Sequence, residues 1–242
     1  MKLTGPVVIL CVGVWSSFTN CDAQNNLDTT LVEWYEHFDS SLGNDYTLVN
    51  GIRYLQIPAR AEGHPFLGEN RFSPGTIRIG EEKYVGTELK YDICNQQIIL
   101  NYRHFSGSEQ QIVLVSDQIN AFTLGNRSFQ KVYQAEEGPK YFQVIEGDPV
   151  SCLYFYQKEL VDGSSGEYYY RYLPEKRSAF LSINGEFHPF KGKRSFIHAF
   201  PEGYQKEIRR YFKSTPFRFS EAIDTDMHNA LQFCNELMKS DR

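Results

Sequence analysis

Apolar residues recur along this chain in three regimes. From Thr30 the spacing is helical: Leu31, Trp34, Tyr35, Phe38 and Leu42 share one face, and Thr30-Leu31-Val32-Glu33 reads as a capping box. From Tyr46 the period drops to two. Leu48-Val49-Asn50-Gly51-Ile52 predicts a hairpin, because Asn-Gly accepts the positive φ of a type I′ turn. After a Gly- and Pro-rich stretch at 59–74, short alternating runs follow closely: 76–79, 83–85, 87–93, 97–102, 111–115, 119–124, 127–133, 141–146 and 150–160. Asp162 to Gly166 reads as a flexible turn before the aromatic strand 167–173, and 179–183 and 186–190 flank a second Asn-Gly pair, Asn184-Gly185. Helical spacing then returns. Ser195 to Phe200 predicts a short helical turn, Pro201 can open a helix burying Tyr204, Ile208, Tyr211 and Phe212, and a last helix near Asp224 buries Met227, Ala230, Leu231, Cys234 and Met238.

Short strands separated by turns predict an antiparallel sheet rather than a parallel one. The expected class is α+β: an antiparallel β-meander, strongly twisted or partly closed into a barrel, with an N-terminal helix and two C-terminal helices. The expected organisation is one domain over 24–242, with a soft boundary near Glu136 and a helical C-terminal part at 195–240.

The first 23 residues fit neither period. Lys2 precedes the apolar run Val7 to Trp15, too short to cross a bilayer, and Cys21-Asp22-Ala23 places small residues where a signal peptidase reads. The expectation is a secretory signal cut after Ala23, leaving Gln24 first and a secreted or periplasmic product. Lipid attachment at Cys21 would call for a small residue before it, and Asn20 stands there. Such a product works without routine access to ATP or NAD. No cofactor and no metal site is expected, and no transmembrane segment after cleavage.

Charge adds one feature. The net charge of −5 argues against a dedicated nucleic-acid binder, but it is unevenly spread. Arg171 to Lys213 holds ten Lys or Arg against four Asp or Glu, a local +6, so the rest of the mature chain carries −5 − 6 = −11. This offers a basic face to an acidic partner, with Lys206, Arg209 and Arg210 as its candidates. Cys94, Cys152 and Cys234 remain after cleavage, an odd set with no metal spacing.

Chemical signatures are sparse. The sequence has no nucleophile elbow, no phosphate-cradling glycine loop, no His-Glu-x-x-His and no Cys-x-x-Cys. His64-Pro65-Phe66 and His188-Pro189-Phe190 repeat one tripeptide, which reads either as two loop anchors or as histidines sharing a metal or proton. Asp224, Asp226 and His228 diverge on a helix, so capping explains the two carboxylates better than a metal. Glu136, Glu137 and Asp148 are loop carboxylates that nothing in the sequence brings together as a glycosidase pair. The aromatic strand is the best binding candidate, with Tyr168, Tyr170 and Tyr172 on one face and Tyr169 and Arg171 on the other.

Several phrases carry a resemblance: Leu48-x-Asn50-Gly51-x-x-Tyr54, Gly63-His64-Pro65-Phe66, Leu89-x-Tyr91-Asp92 leading into Gln97 to Leu100, Phe122-Thr123-Leu124-Gly125-x-x-x-Phe129, and the run from Ile183 to Glu202. Together they resemble a group of exported bacterial proteins of unassigned activity, built as a β-meander with a helical C-terminus. The resemblance implies export and that fold, and it carries over no catalytic or cofactor residue.

The functional expectation is a non-catalytic envelope protein that binds or scaffolds an envelope protein or an acidic or glycan component. The alternatives are an envelope hydrolase using His64, His188 or loop carboxylates, and a carrier of small apolar ligands inside a curled sheet.

Overall fold

Strand alternation organises the protein around one large sheet. The computed structural model describes residues 47–56, 58, 61–104, 106–134, 138–165, 168–219 and 222–240. The expected N-terminal helix and the signal segment lie outside these residues. The strands are β1 (Ile52–Arg53), β2 (Ala61–Glu62), β3 (Ser73–Ile79), β4 (Glu82–Asp92), β5 (Gln97–Arg103), β6 (Glu109–Val113), β7 (Ile119–Leu124), β8 (Arg127–Gln134), β9 (Gly138–Ile145), β10 (Val150–Gln157), β11 (Leu160–Ser165), β12 (Tyr168–Tyr172), β13 (Lys176–Ile183) and β14 (Glu186–Phe190). Three helices follow: α1 (Lys193–His198), α2 (Glu202–Ser214) and α3 (Asp224–Lys239).

Eleven strands form an antiparallel sheet in the order β1-β6-β5-β4-β3-β7-β8-β9-β10-β13-β14. Two meanders meet at β3, because β7 returns past β4, β5 and β6 to pair with β3's free side. A second, three-stranded sheet orders β11-β12-β2, with β2 parallel to β12. β8 and β9 pair with each other on either side of the expected soft boundary, so one sheet flanks it.

The main sheet curls. Gln96 Nε2 donates to Tyr156 O at 3.0 Å, and Lys158 N donates to Ile93 O at 3.2 Å. These bonds join the β4–β5 turn to the end of β10, although β3, β7, β8 and β9 stand between those strands in the sheet. Inside the curl Phe122 stacks on Phe129 at 4.7 Å, and Tyr91 meets both rings edge-on at 5.3 and 5.5 Å. Each such pair adds ~0.5–1.5 kcal/mol beyond burial. The curl stops short of a barrel: among the described residues no ladder joins the outer strands β1 and β14.

The helices cover the concave side near β9 and β10. Met227, Ala230, Leu231, Cys234 and Met238 of α3 are buried there, as their spacing requires. Asn235 completes the sheet from the helix. Its Oδ1 accepts from Val150 N at 2.7 Å and its Nδ2 donates to Val150 O at 2.9 Å, the pair of bonds a further strand would make. Gly147 makes room: a Cβ there would stand 2.1 Å from Val150 O and 2.5 Å from Asn235 Nδ2. Helix α1 packs Phe196 edge-on against Phe190 of β14 at 5.2 Å and against Phe212 of α2 at 5.3 Å. Tyr211 of α2 stacks on Phe233 of α3 at 4.4 Å.

Several local expectations change. Asn50-Gly51 forms no hairpin, because 47–50 is irregular and β1 pairs with the distant β6. Gly51 instead serves close approach: its Cβ would lie 2.1 Å from Val113 O. The expected turn at Asp162 is strand, since Asp162 and Ser165 pair with Tyr170 and Tyr168. His188-Pro189-Phe190 lies within β14 rather than on a loop, because the Asn184-Gly185 turn carries pairing straight through it. The short helical turn expected at 195–200 lies at 193–198 as α1, so three helices rather than two follow the sheet.

Candidate functional site

The six residues singled out from sequence fall on two separate units. Tyr168 opens β12 opposite Ser165. Tyr170 is partly exposed, at 39%, but Tyr172 on the same face is buried at 9%. Its backbone passes over Gly63, and its phenol is pushed up by burial and by the neighbouring Asp92 and Cys94. The continuous aromatic face expected of this strand therefore ends at Tyr170, and Tyr169 on the other side is more exposed than either, at 66%.

Lys206, Arg209 and Arg210 lie on α2. Together with Lys213 they recur at i, i+3, i+4 and i+7, which places all four on one face, opposite the buried Ile208 and Phe212. Arg210 is held by Glu207 at 2.9 Å, an exposed ion pair. Arg209 and Lys213 face α1, where a cavity of about 320 Å³ is lined by Lys193, Arg194, Ile197, His198, Arg209 and Lys213. Its size sits at the lower end of the ~300–1,000 Å³ typical of small-molecule sites.

Local sequence explains the groove. Ser195 Oγ accepts from Lys191 N at 2.9 Å and from Gly192 N at 3.2 Å, which starts α1 immediately after β14. Phe196 and Ile197 then turn inward, leaving Lys193, Arg194 and His198 around the rim. Pro201 separates α1 from α2 and lets the two helices pack side by side. Lys193 Nζ donates to Phe212 O at 2.7 Å, so this charge is used on an end carbonyl of α2. Arg194, Arg209 and Lys213 make no ion pair among the described residues. The groove is thus an apolar floor at Ile197 beneath a ring of cations, with no carboxylate in its lining.

A second cluster forms where the curl is drawn together. Lys158 Nζ donates to Phe66 O at 2.7 Å and to His64 O at 3.2 Å, holding the first His-Pro-Phe loop against the sheet. Asp92, 1% exposed, accepts from Cys94 N, Asn95 N and Asn95 Nδ2 at 2.8–2.9 Å. Burial raises the Asp92 carboxyl against those bonds, raises the Cys94 thiol with help from Asp92, and lowers the Lys158 ammonium. His64 accepts from Phe66 N through Nδ1 at 3.2 Å, and burial together with Lys158 and Lys90 lowers its imidazolium. Nearly every polar contact here ties down a loop or turn, so the cluster works as a clamp. Its thiol, raised rather than lowered, is a poor nucleophile.

The two His-Pro-Phe histidines do not meet. His64 sits at the clamp, whereas His188 lies on the edge strand β14, 3.9 Å from Glu186 and opposite Leu181. Asp226 accepts from Ile223 N at 3.3 Å, as capping predicts, while Asp224 turns away to take a 2.7 Å bond from the buried Gln143. Asp148 pairs with Lys239 at 3.4 Å, and Glu136 and Glu137 lie outside the described residues. Among the described residues no three His, Cys, Asp or Glu side chains gather as metal ligands, and no helix is long and apolar enough to cross a membrane.

No protein-family model, curated protein or solved structure matches this chain. Sequence reasoning found Arg209 but not its partners across the groove. Lys193-Arg194 and His198 carried a usable signal, a basic pair and a third basic position flanking the apolar Phe196-Ile197.

Proposed function

We propose that this chain is an exported, non-catalytic protein that binds an acidic partner through the groove between α1 and α2. The Met1 to Ala23 pattern supports export, and with it a periplasmic or extracellular location. Membership of the exported bacterial group rests on the turn and core phrases already quoted. The observation that carries the binding reading is the groove lining: five basic side chains and one apolar one, without a carboxylate. Clefts lined by one sign of charge concentrate ligands of the opposite sign. The aromatic strand β12 lies outside this site, and His64 and His188 lie apart, so that pair does not support the hydrolase alternative.

The test is calorimetric titration at low ionic strength with inorganic pyrophosphate and with an oligogalacturonate, using wild type and the double variant Arg209→Glu, Lys213→Glu. Wild type should bind at least one probe, and the variant should bind it about tenfold or more weakly. The proposal fails if neither probe binds, or if the variant binds as tightly as wild type.

A further inference from the structure

We infer that the groove is one station on a longer track, and that its ligand is an extended acidic polysaccharide rather than a small anion. The inference rests on the anion-binding reading above and adds the ligand's shape and class. The stripe Lys206, Arg209, Arg210, Lys213 covers seven residues of helix, about 10 Å at 1.5 Å per residue. Only Arg209 and Lys213 reach the cavity, so Lys206 and Arg210 continue the same charge beyond it. A single phosphate or carboxylate seated in the groove would leave both unused. Arg210 is held only by an exposed pair with Glu207, a bond of the kind that contributes little and exchanges readily for another anion.

Three features narrow the class of polyanion. A membrane surface is usually engaged by apolar side chains set beside the cations. The large apolar side chains exposed among the described residues are Ile52, Leu55, Val115, Tyr133, Tyr169, Tyr170, Phe187 and Ile223, and none belongs to α1 or α2. A single-stranded nucleic acid would call for exposed rings to stack its bases, and the same helices expose none. A glycan carrying repeated carboxylates or sulfates needs neither. Its ring faces can lie on the aliphatic stems of the exposed Arg194 and Lys213, while its anions meet the guanidinium and ammonium groups. The rest of the mature chain carries a net −11, which disfavours such a polymer outside the basic segment.

The experiment is a chain-length series. Oligogalacturonates supply the carboxylate arm and heparin-derived oligosaccharides the sulfate arm, each as a disaccharide and an octasaccharide, with vesicles containing anionic lipid as a third arm. Wild type, Lys206→Glu and the double variant Arg209→Glu, Lys213→Glu are compared, with circular dichroism to establish that each is folded. The octasaccharide of at least one arm should bind at least about tenfold more tightly than its disaccharide, and its affinity should fall more steeply with salt. Lys206→Glu should weaken the octasaccharide about fivefold and leave the disaccharide unchanged. Equal affinity for the two lengths, or an octasaccharide indifferent to Lys206→Glu, overturns the extended track while leaving the anion groove intact. Binding to vesicles but to neither glycan replaces the polysaccharide with a membrane surface and also overturns the inference. Binding to no probe, or binding unaffected by Arg209→Glu, Lys213→Glu, defeats the groove itself.

Discussion

Replacing Asn235 by leucine removes both bonds that α3 lends to the sheet while keeping a branched side chain of similar size. Asn235 is 8% exposed, and Val150 is fully buried. Without the amide, the Val150 N–H and C=O lose partners at 2.7 and 2.9 Å. Each buried group left unsatisfied costs about 1–3 kcal/mol. Allowing for the apolar burial leucine recovers, the expected loss is about 2–4 kcal/mol, a large share of the ~5–15 kcal/mol that holds a domain together. Urea titration followed by far-UV circular dichroism should show a lower midpoint with an unchanged slope. Gln232→Ala, on the exposed face of the same helix, should stay within about 0.5 kcal/mol of wild type. If Asn235→Leu also stayed within that margin, the helix would not be completing the ladder.

Two further outcomes follow from the clamp and the buried thiols. His64 has a folded value below its ordinary 6.5, so its contribution is fully present above that value and is lost as pH falls through the folded one. Thermal midpoints measured between about pH 7.5 and pH 5 should therefore fall more in wild type than in His64→Gln, and parallel curves would contradict this. Burial pushes the Cys152 and Cys234 thiols up to about 12, whereas Cys94 is partly exposed. A thiol reagent applied to the native protein, with labels located by peptide mapping, should mark Cys94 before either of the others. Early labelling of Cys152 or Cys234 would mean that the core opens without unfolding.

The elements were legible wherever one local rule governed them. Asn184 and Gly185 both take positive φ, 51° and 88°, and the hairpin follows from their identity alone. The stripe of α3 buries the residues its spacing names, whereas that of α2 buries Ile208 and Phe212 and leaves Tyr204 and Tyr211 half-buried. Asn50-Gly51 misled because the same glycine can satisfy either a turn or a tight approach, and the deciding atom, Val113 O, is 62 positions away. The return of β7 to β3 was equally hidden, since pairing order depends on which edge is free once β4 has folded. The site divides the same way. The cationic stripe of α2 was readable from its helical period, but its meeting with α1 depends on Phe196 packing between Phe190 and Phe212. Asp92, Cys94 and Lys158 carried no signal in their spacing, because only the curl of the sheet joins them.

The two outermost strands bear on what happens when many copies of this protein share a confined space. A long sheet with free margins invites a second chain to add its own strand, the first step toward fibrous assembly. Here one margin is β1, only two residues long. The other is β14, where Pro189 lacks the N–H that a docking strand would bond and Glu186 sets a charge at the entry. Among the described residues the eleven strands thus end in two segments poorly suited to recruit a twelfth, so the sheet is a weak template for growth.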